Sequence, residues 1–153
     1  MNGQVMAVCM SREKGTKKRP VNKARFIENY GLDGDAHAGS TTRQVSLLAW
    51  EDVEELETEL ACPKMGKTKG FRPGEFAENL TTRGIALGSL KPGMRLKVGS
   101  DVVLEITQIG KECHRDCEIK RTTGRCIMPQ KGLFAKVLTG GEVKAGDEIS
   151  VWY

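Results

Sequence analysis

Apolar and polar residues alternate in short runs along most of this chain, and the runs are separated by glycine-containing turns. In "MRLKVG", Met94, Leu96 and Val98 alternate with Arg95 and Lys97. After "GSD", Val102, Leu104 and Ile106 alternate with Val103, Glu105 and Thr107. Two half-buried strands around such a turn predict an antiparallel hairpin. Val5 to Cys9 reads as an early strand. The segment "RQVSLLAW" reads as another, and it runs into one clear helix. There Ala49, Val53, Leu56 and Leu60 recur at spacings that line one helical face, while the other face is almost all carboxylate. The C-terminal "FAKVLTGGEVKAGDEISVWY" repeats the strand-and-turn design, with Ile149, Val151 and Tyr153 on one side. Many short strands with one long helix predict a mainly β protein with a few helices, built as a closed or partly open antiparallel β-barrel.

With 153 residues, no internal repeat and no low-complexity linker, residues 1–153 read as a single domain. No apolar run approaches the ~20 residues of a membrane helix, and the N-terminus does not read as a signal peptide. The expectation is a cytoplasmic protein with no membrane partner. In a reducing compartment, the five cysteines are expected to be core residues, metal ligands or reactive thiols rather than disulfides.

Charge is unevenly spread. The net charge is +4, but Ser11 to Arg25 carries seven Lys and Arg against one Glu. On composition alone this is a solvated loop; it also suits an anionic ligand. With aromatics at 5% and no basic-aromatic interleaving, nucleic acid is not an expected partner.

Three segments carry candidate chemistry. "KECHRDCEIKRTTGRC" holds Cys113, His114, Cys117 and Cys126. The cluster reads either as a Cys₃His zinc site or as a reactive thiol beside Lys111, Arg115, Lys120 and Arg121, whose charges favour thiolate. Cys113 to Thr123 is polar enough for a short helix, whereas Cys9 and Cys126 sit in apolar surroundings that suit the core. In "GLDGDAHAG", an extended chain would put Asp33, Asp35 and His37 on one side for metal or acid–base work; a tight glycine loop is the alternative. In "RPGEFAENLTTRGI", Glu78 and Asn79 lie in an apolar frame and need buried partners or a ligand. Arg83 and the two threonines add donors suited to phosphate, and a polar strand end is the simpler reading.

Taken in order, "GLDGDAHAG", "RQVSLLAWE", "PGEFAENLTTRGIAL", "LKPGMRLKVGSDVVLEITQIGKEC" and "GLFAKVLTGGEVKAGDEI" resemble the MOSC family, named after the C-terminal domain of molybdenum cofactor sulfurase. The resemblance spans nearly the whole chain, as a stand-alone domain. It implies a β-barrel and an association with the molybdenum cofactor (molybdopterin), a pterin with a terminal phosphate and a dithiolene-bound metal. Some relatives are attached to pyridoxal-phosphate-dependent sulfurases; others belong to molybdenum enzymes that reduce N-hydroxylated compounds.

The family's hallmark is a cysteine after an "LEIxQ" strand, which falls here on Cys113. The resemblance implies that Cys113 carries sulfur as a persulfide or ligates molybdenum. It implies Asn79 as a cofactor contact, with Glu78 beside it. His37 and Arg43 fall in the matching "GDAHAG" and "RQVSLL" segments, and Lys17, Lys18, Arg19 and His114 are expected near the anionic pterin. Many relatives have Pro before the hallmark cysteine and an apolar residue after it; this chain has Glu112 and His114. The expected function is cofactor binding or sulfur carriage, with a pyridoxal-phosphate cysteine desulfurase as donor and a molybdoenzyme as acceptor. The alternatives are a molybdenum-dependent reductase component, which needs a separate electron donor, and a non-catalytic zinc protein.

Overall fold

The computed structural model describes residues 2–60, 70–110 and 127–152. In chain order the strands are β1 (Asn2–Met10), β2 (Arg19–Val21), β3 (Lys23–Ile27), β4 (Gly31–Leu32), β5 (Val45–Ala49), β6 (Leu80–Arg83), β7 (Arg95–Val98), β8 (Val102–Ile109), β9 (Leu133–Thr139), β10 (Gly141–Lys144) and β11 (Glu148–Trp152). Two helices join them, α1 (Trp50–Leu60) and the single turn α2 (Met128–Lys131). The main sheet runs β11-β7-β8-β9-β5-β6-β1-β2, and a further pairing of β11 with β1 closes seven strands into a barrel, leaving β2 as an added edge strand. A smaller sheet, β10-β3-β4, packs beside it.

The expected hairpin forms with Leu96 opposite Leu104 and Val98 opposite Val102, all four fully buried. Its alternation drives the register, because a one-residue slip would turn this row to solvent. The barrel core continues through Val5, Val8, Val45, Leu47, Leu80, Ile106, Leu133, Val137 and Ile149.

The expected barrel forms as a closed mixed barrel, with one parallel pairing among antiparallel ones. β5 and β6 pair in parallel, with Leu47 opposite Leu80, while every other pairing among the described residues is antiparallel. Parallel neighbours require a crossover, and α1 begins it. The predicted helix forms from Trp50 onward, but Ala49, expected on its apolar stripe, instead ends β5 and packs in the barrel core, because the strand continues to the last residue that pairs with β6. Val53 and Leu56 pack with Leu48, Phe71, Phe76, Ile127, Met128 and Phe134 in a second cluster, outside the barrel. The side chain of Leu60 lies outside the described residues, as do Tyr153 and the segment expected to hold a short helix. No helix among the described residues is long and apolar enough to cross a membrane.

Candidate functional site

The site begins with one row of paired residues across five strands. Gln108 on β8 faces Phe134 on β9, and Phe134 faces Ser46 on β5. The Asn79 backbone N–H, just before β6, donates to the Ser46 carbonyl, and the Cys9 N–H on β1 donates to the Asn79 carbonyl. Cys9 in turn faces Pro20 on β2. From Gln108 to Cys9 the row crosses four strand spacings, about 19 Å measured along the sheet.

Asn79 holds the middle of this row. Its Oδ1 accepts from the Ser46 N–H at 3.0 Å and the Ser46 hydroxyl at 3.1 Å; its Nδ2 donates to the Cys9 carbonyl at 3.0 Å. The residue is fully buried, so its amide ties β5, β6 and β1 together. Ala77, two residues earlier, has φ 64, a conformation an alanine rarely adopts. The Ser46 hydroxyl bonded to its carbonyl helps hold it there.

Glu78 is also fully buried. Oε2 accepts from the Thr81 hydroxyl at 2.7 Å, while Oε1 has no partner among the described residues. Burial pushes its pKa up, and Thr81 and the nearby backbone amides of Gly74 and Phe76 only partly oppose this. Cys9 lies in the same environment. Burial and the adjacent Glu78 raise its thiol to about 12, so it is an inert core thiol, as its apolar strand suggested. Thr81 and Thr82 are buried and Arg83 is ion-paired with Glu54 at 2.8 Å, so this segment does not form the phosphate-facing donor set considered from the sequence.

At one end of the row lies the basic loop. An open groove of about 710 Å³ is lined by residues from two segments, among them Arg12, Lys17, Arg19 and Arg72, with Glu13 and Glu75 as opposing charges. Lys17 reaches Glu75 at 3.6 Å. Lys18 departs from the solvated reading of this loop. Its side chain is fully enclosed, and Nζ donates to Asp35 Oδ1 at 2.8 Å, Ser11 Oγ at 3.1 Å and His37 Nδ1 at 3.1 Å. Burial draws the lysine below its ordinary pKa, against the pull of Asp35. Burial would raise Asp35, but Lys18 and the backbone amides of Ser11 and His37 outweigh it and hold the carboxyl below its usual value. Lys18 therefore anchors the loop whose neighbours line the groove.

Beyond Gly31 and Leu32, which form β4, the "GLDGDAHAG" segment is a turn, not an extended strand. Gly34 has φ 89, Asp33 is exposed and Asp35 is buried. The three side chains expected on one side are split, and Asp35 is engaged by Lys18. Among the described residues, no group of three or more His, Cys, Asp or Glu is placed to hold a metal ion.

At the other end of the row, Arg43 Nε donates to Gln108 Oε1 at 3.3 Å, and its guanidinium lies 5.4 Å from the centre of the Phe134 ring. The Thr107 hydroxyl lies within hydrogen-bond reach of both the Thr42 and Phe134 carbonyls, which share its single proton at the same corner. Gln108 Nε2 donates to the Gly110 carbonyl, which ends the strand. Cys113, His114, Cys117 and Cys126 follow in sequence but lie outside the described residues, so the structure does not test the expectations placed on them.

The chain and its barrel match a known family. A model of the MOSC domain aligns with residues 34–150. The chain belongs to the MOSC domain family. Solved structures agree on the fold. The YuaD protein from Bacillus subtilis superposes with a TM-score of 0.79 at 21% identity, over 99% of this chain and 96% of that one. YiiM from Geobacillus stearothermophilus gives 0.75 at 16% identity, over 99% and 75%, and YiiM from Escherichia coli gives 0.70 at 18%, over 100% and 70%. No curated protein sequence matches significantly. MOSC domains are associated with molybdenum-cofactor-related proteins, and this MOSC domain is a closed seven-stranded mixed barrel with one added strand.

Sequence reasoning missed several residues of the site. Ser11, Ser46 and Gln108 make its hydrogen bonds, and Arg12 and Arg72 line the groove. Ser46 had a detectable signal, a lone hydroxyl in an otherwise apolar strand.

Proposed function

We propose that this MOSC domain binds the molybdenum cofactor or its precursors and carries sulfur as a persulfide on Cys113 for delivery to a metal–sulfur centre. The observation that carries the reading is the cross-strand row. It joins a groove rich in Arg and Lys to the Arg43–Gln108 corner, and Cys113 follows Gln108 by five residues in the sequence. The groove's donor set suits a phosphate monoester, since Arg12, Lys17, Arg19 and Arg72 outnumber Glu13 and Glu75. These residues would hold the phosphate. Asn79 and Lys18 act behind them by fixing the strands and the loop. The cofactor, when bound, supplies a dithiolene-held metal able to accept a terminal sulfur.

The chain's own chemistry is one exchange. The Cys113 thiolate attacks the outer sulfur of a donor persulfide of a pyridoxal-phosphate cysteine desulfurase. A new Cys113 S–S bond forms, the donor S–S bond breaks, and the donor leaves as thiolate. The proton on the transferred sulfur moves with it, and no net oxidation occurs. A molybdoenzyme is the expected acceptor.

The test is incubation with a cysteine desulfurase and cysteine, followed by intact-mass measurement and persulfide labelling. The native chain should gain one sulfur, and Cys113→Ser should gain none while keeping its far-UV spectrum. Equal labelling of both chains would sink the carrier reading. Molybdenum, zinc and pterin analysis of the same material separates the alternatives. Stoichiometric molybdenum favours a reductase component acting on N-hydroxylated compounds, and one zinc per chain favours the metal-site protein.

A further inference from the structure

The basic groove has two walls. One is the loop after β1, which carries Arg12 and Arg19; the other is the turn 72–77, which supplies Arg72, Pro73 and Glu75. Phe71 and Phe76 pin this turn in the apolar cluster outside the barrel. The Arg72 N–H donates to Glu75 Oε2 at 3.3 Å, and the Ala77 N–H donates to the Gly74 carbonyl at 3.0 Å. The same Gly74 carbonyl accepts from the Lys18 N–H at 2.8 Å, which clasps the two walls together. A Cβ on Gly74 would come within 3.2 Å of Cys9 Sγ, so the turn is pressed onto β1. Glu78 lies beneath it. Thr81 holds Oε2 at 2.7 Å, and the backbone amides of Gly74 and Phe76 are near enough to favour the charged carboxylate, although no donor among the described residues bonds Oε1.

We propose that Glu78 is a positioning residue for the anion groove: from beneath the 72–77 turn, its carboxyl sets where Arg72 stands relative to Arg12 and Arg19 on the facing wall. Glu78 is fully buried, so it cannot touch a ligand itself, as the family resemblance had implied. Arg72 is exposed and its guanidinium makes no ion pair among the described residues. Its place in the groove therefore follows from its backbone, and that backbone rests on Glu78. Paired N–H···O bonds from a guanidinium to an oxyanion have a fixed fork geometry, so a displaced turn loses them. Burial pushes Glu78 toward its neutral form. Glutamine, with the same shape and no charge, can stand in for it; leucine offers no oxygen to Thr81 or to the turn.

This deepens the proposed function and rests on its reading of the groove as an oxyanion site. The probe is inorganic pyrophosphate, titrated calorimetrically into the full chain. Arg72→Gln should weaken binding about tenfold. Glu78→Leu should weaken it about fivefold in the native chain but less than about twofold once Arg72→Gln is present, because the residue acts through Arg72. With Arg12→Gln instead, Glu78→Leu should keep its loss of about fivefold. Glu78→Gln should bind within about twofold of the native chain. A general loosening of the fold would weaken binding alike in both backgrounds, so equal losses beside Arg72→Gln and Arg12→Gln overturn the proposal, as does a Glu78→Gln variant as weak as Glu78→Leu. Should Glu78→Leu not fold, Thr81→Val removes the bond that holds the carboxyl and should show the same dependence on Arg72, at about threefold. A native chain that binds no pyrophosphate overturns this proposal together with the groove reading. Coupling that holds while Cys113 gains no sulfur strikes only the carrier reading.

Discussion

Asn79→Ala is the sharpest probe of the cross-strand row. The native amide satisfies the Ser46 N–H and the Cys9 carbonyl in a fully buried position. Truncation orphans both backbone groups, each at about 1–3 kcal/mol. The Ser46 hydroxyl keeps its bond to the Ala77 carbonyl, so it adds little. The loss therefore centres on about 4 kcal/mol, a large part of the 5–15 kcal/mol of a typical domain. Urea unfolding at pH 7, followed by far-UV circular dichroism, reads it directly. With a slope of about 2 kcal/mol per molar, the midpoint should fall by about 2 M. An exposed-strand control, Lys97→Ala, should change stability by no more than about 0.5 kcal/mol. A loss below about 1 kcal/mol for Asn79→Ala refutes the argument, because the residue would then not be the fastener that its three bonds imply.

Other consequences follow from the same geometry. Glu78 is raised by burial, so its neutral form belongs to the folded state; its contribution is full below the unfolded value of about 4.3 and is lost as pH rises through the folded value. Glu78→Gln should flatten that part of the stability profile, seen as a difference from wild type that grows above pH 4.3 in urea titrations at successive pH values. Replacing Lys17 and Arg19 by Gln should weaken binding of inorganic pyrophosphate about tenfold by calorimetry, reduce its salt dependence, and leave the unfolding midpoint nearly unchanged. Gly74 has φ 90, and a Cβ there would come within 2.2 Å of the Lys18 carbonyl oxygen. Gly74→Ala should therefore cost at least about 2 kcal/mol in the same unfolding assay.

Much of the scaffold was legible in the sequence. The period-two alternation of Leu96, Val98, Val102, Leu104 and Ile106 dictates a hairpin, because only one register buries all five. The spacing of Val53 and Leu56 dictates a helix with one apolar face, and the ordered motifs from Gly31 to Ile149 carry the family. Such features are local, and a short stretch of chain contains all the information they need.

The parallel β5–β6 pair was not legible, since its partners meet only once α1 and the chain after it have crossed over. Nor was the split between Lys17, Lys18 and Arg19, three adjacent cations in one basic loop. Lys18 is buried because Asp35, 17 residues away, supplies both a counter-charge and a hydrogen bond inside the fold. Asn79 likewise finds Ser46 33 residues away and Cys9 70 residues away. A buried charge or amide is tolerated only where every polar atom meets a partner. Composition and periodicity determine which residues need partners, and tertiary structure alone decides which of them receive one.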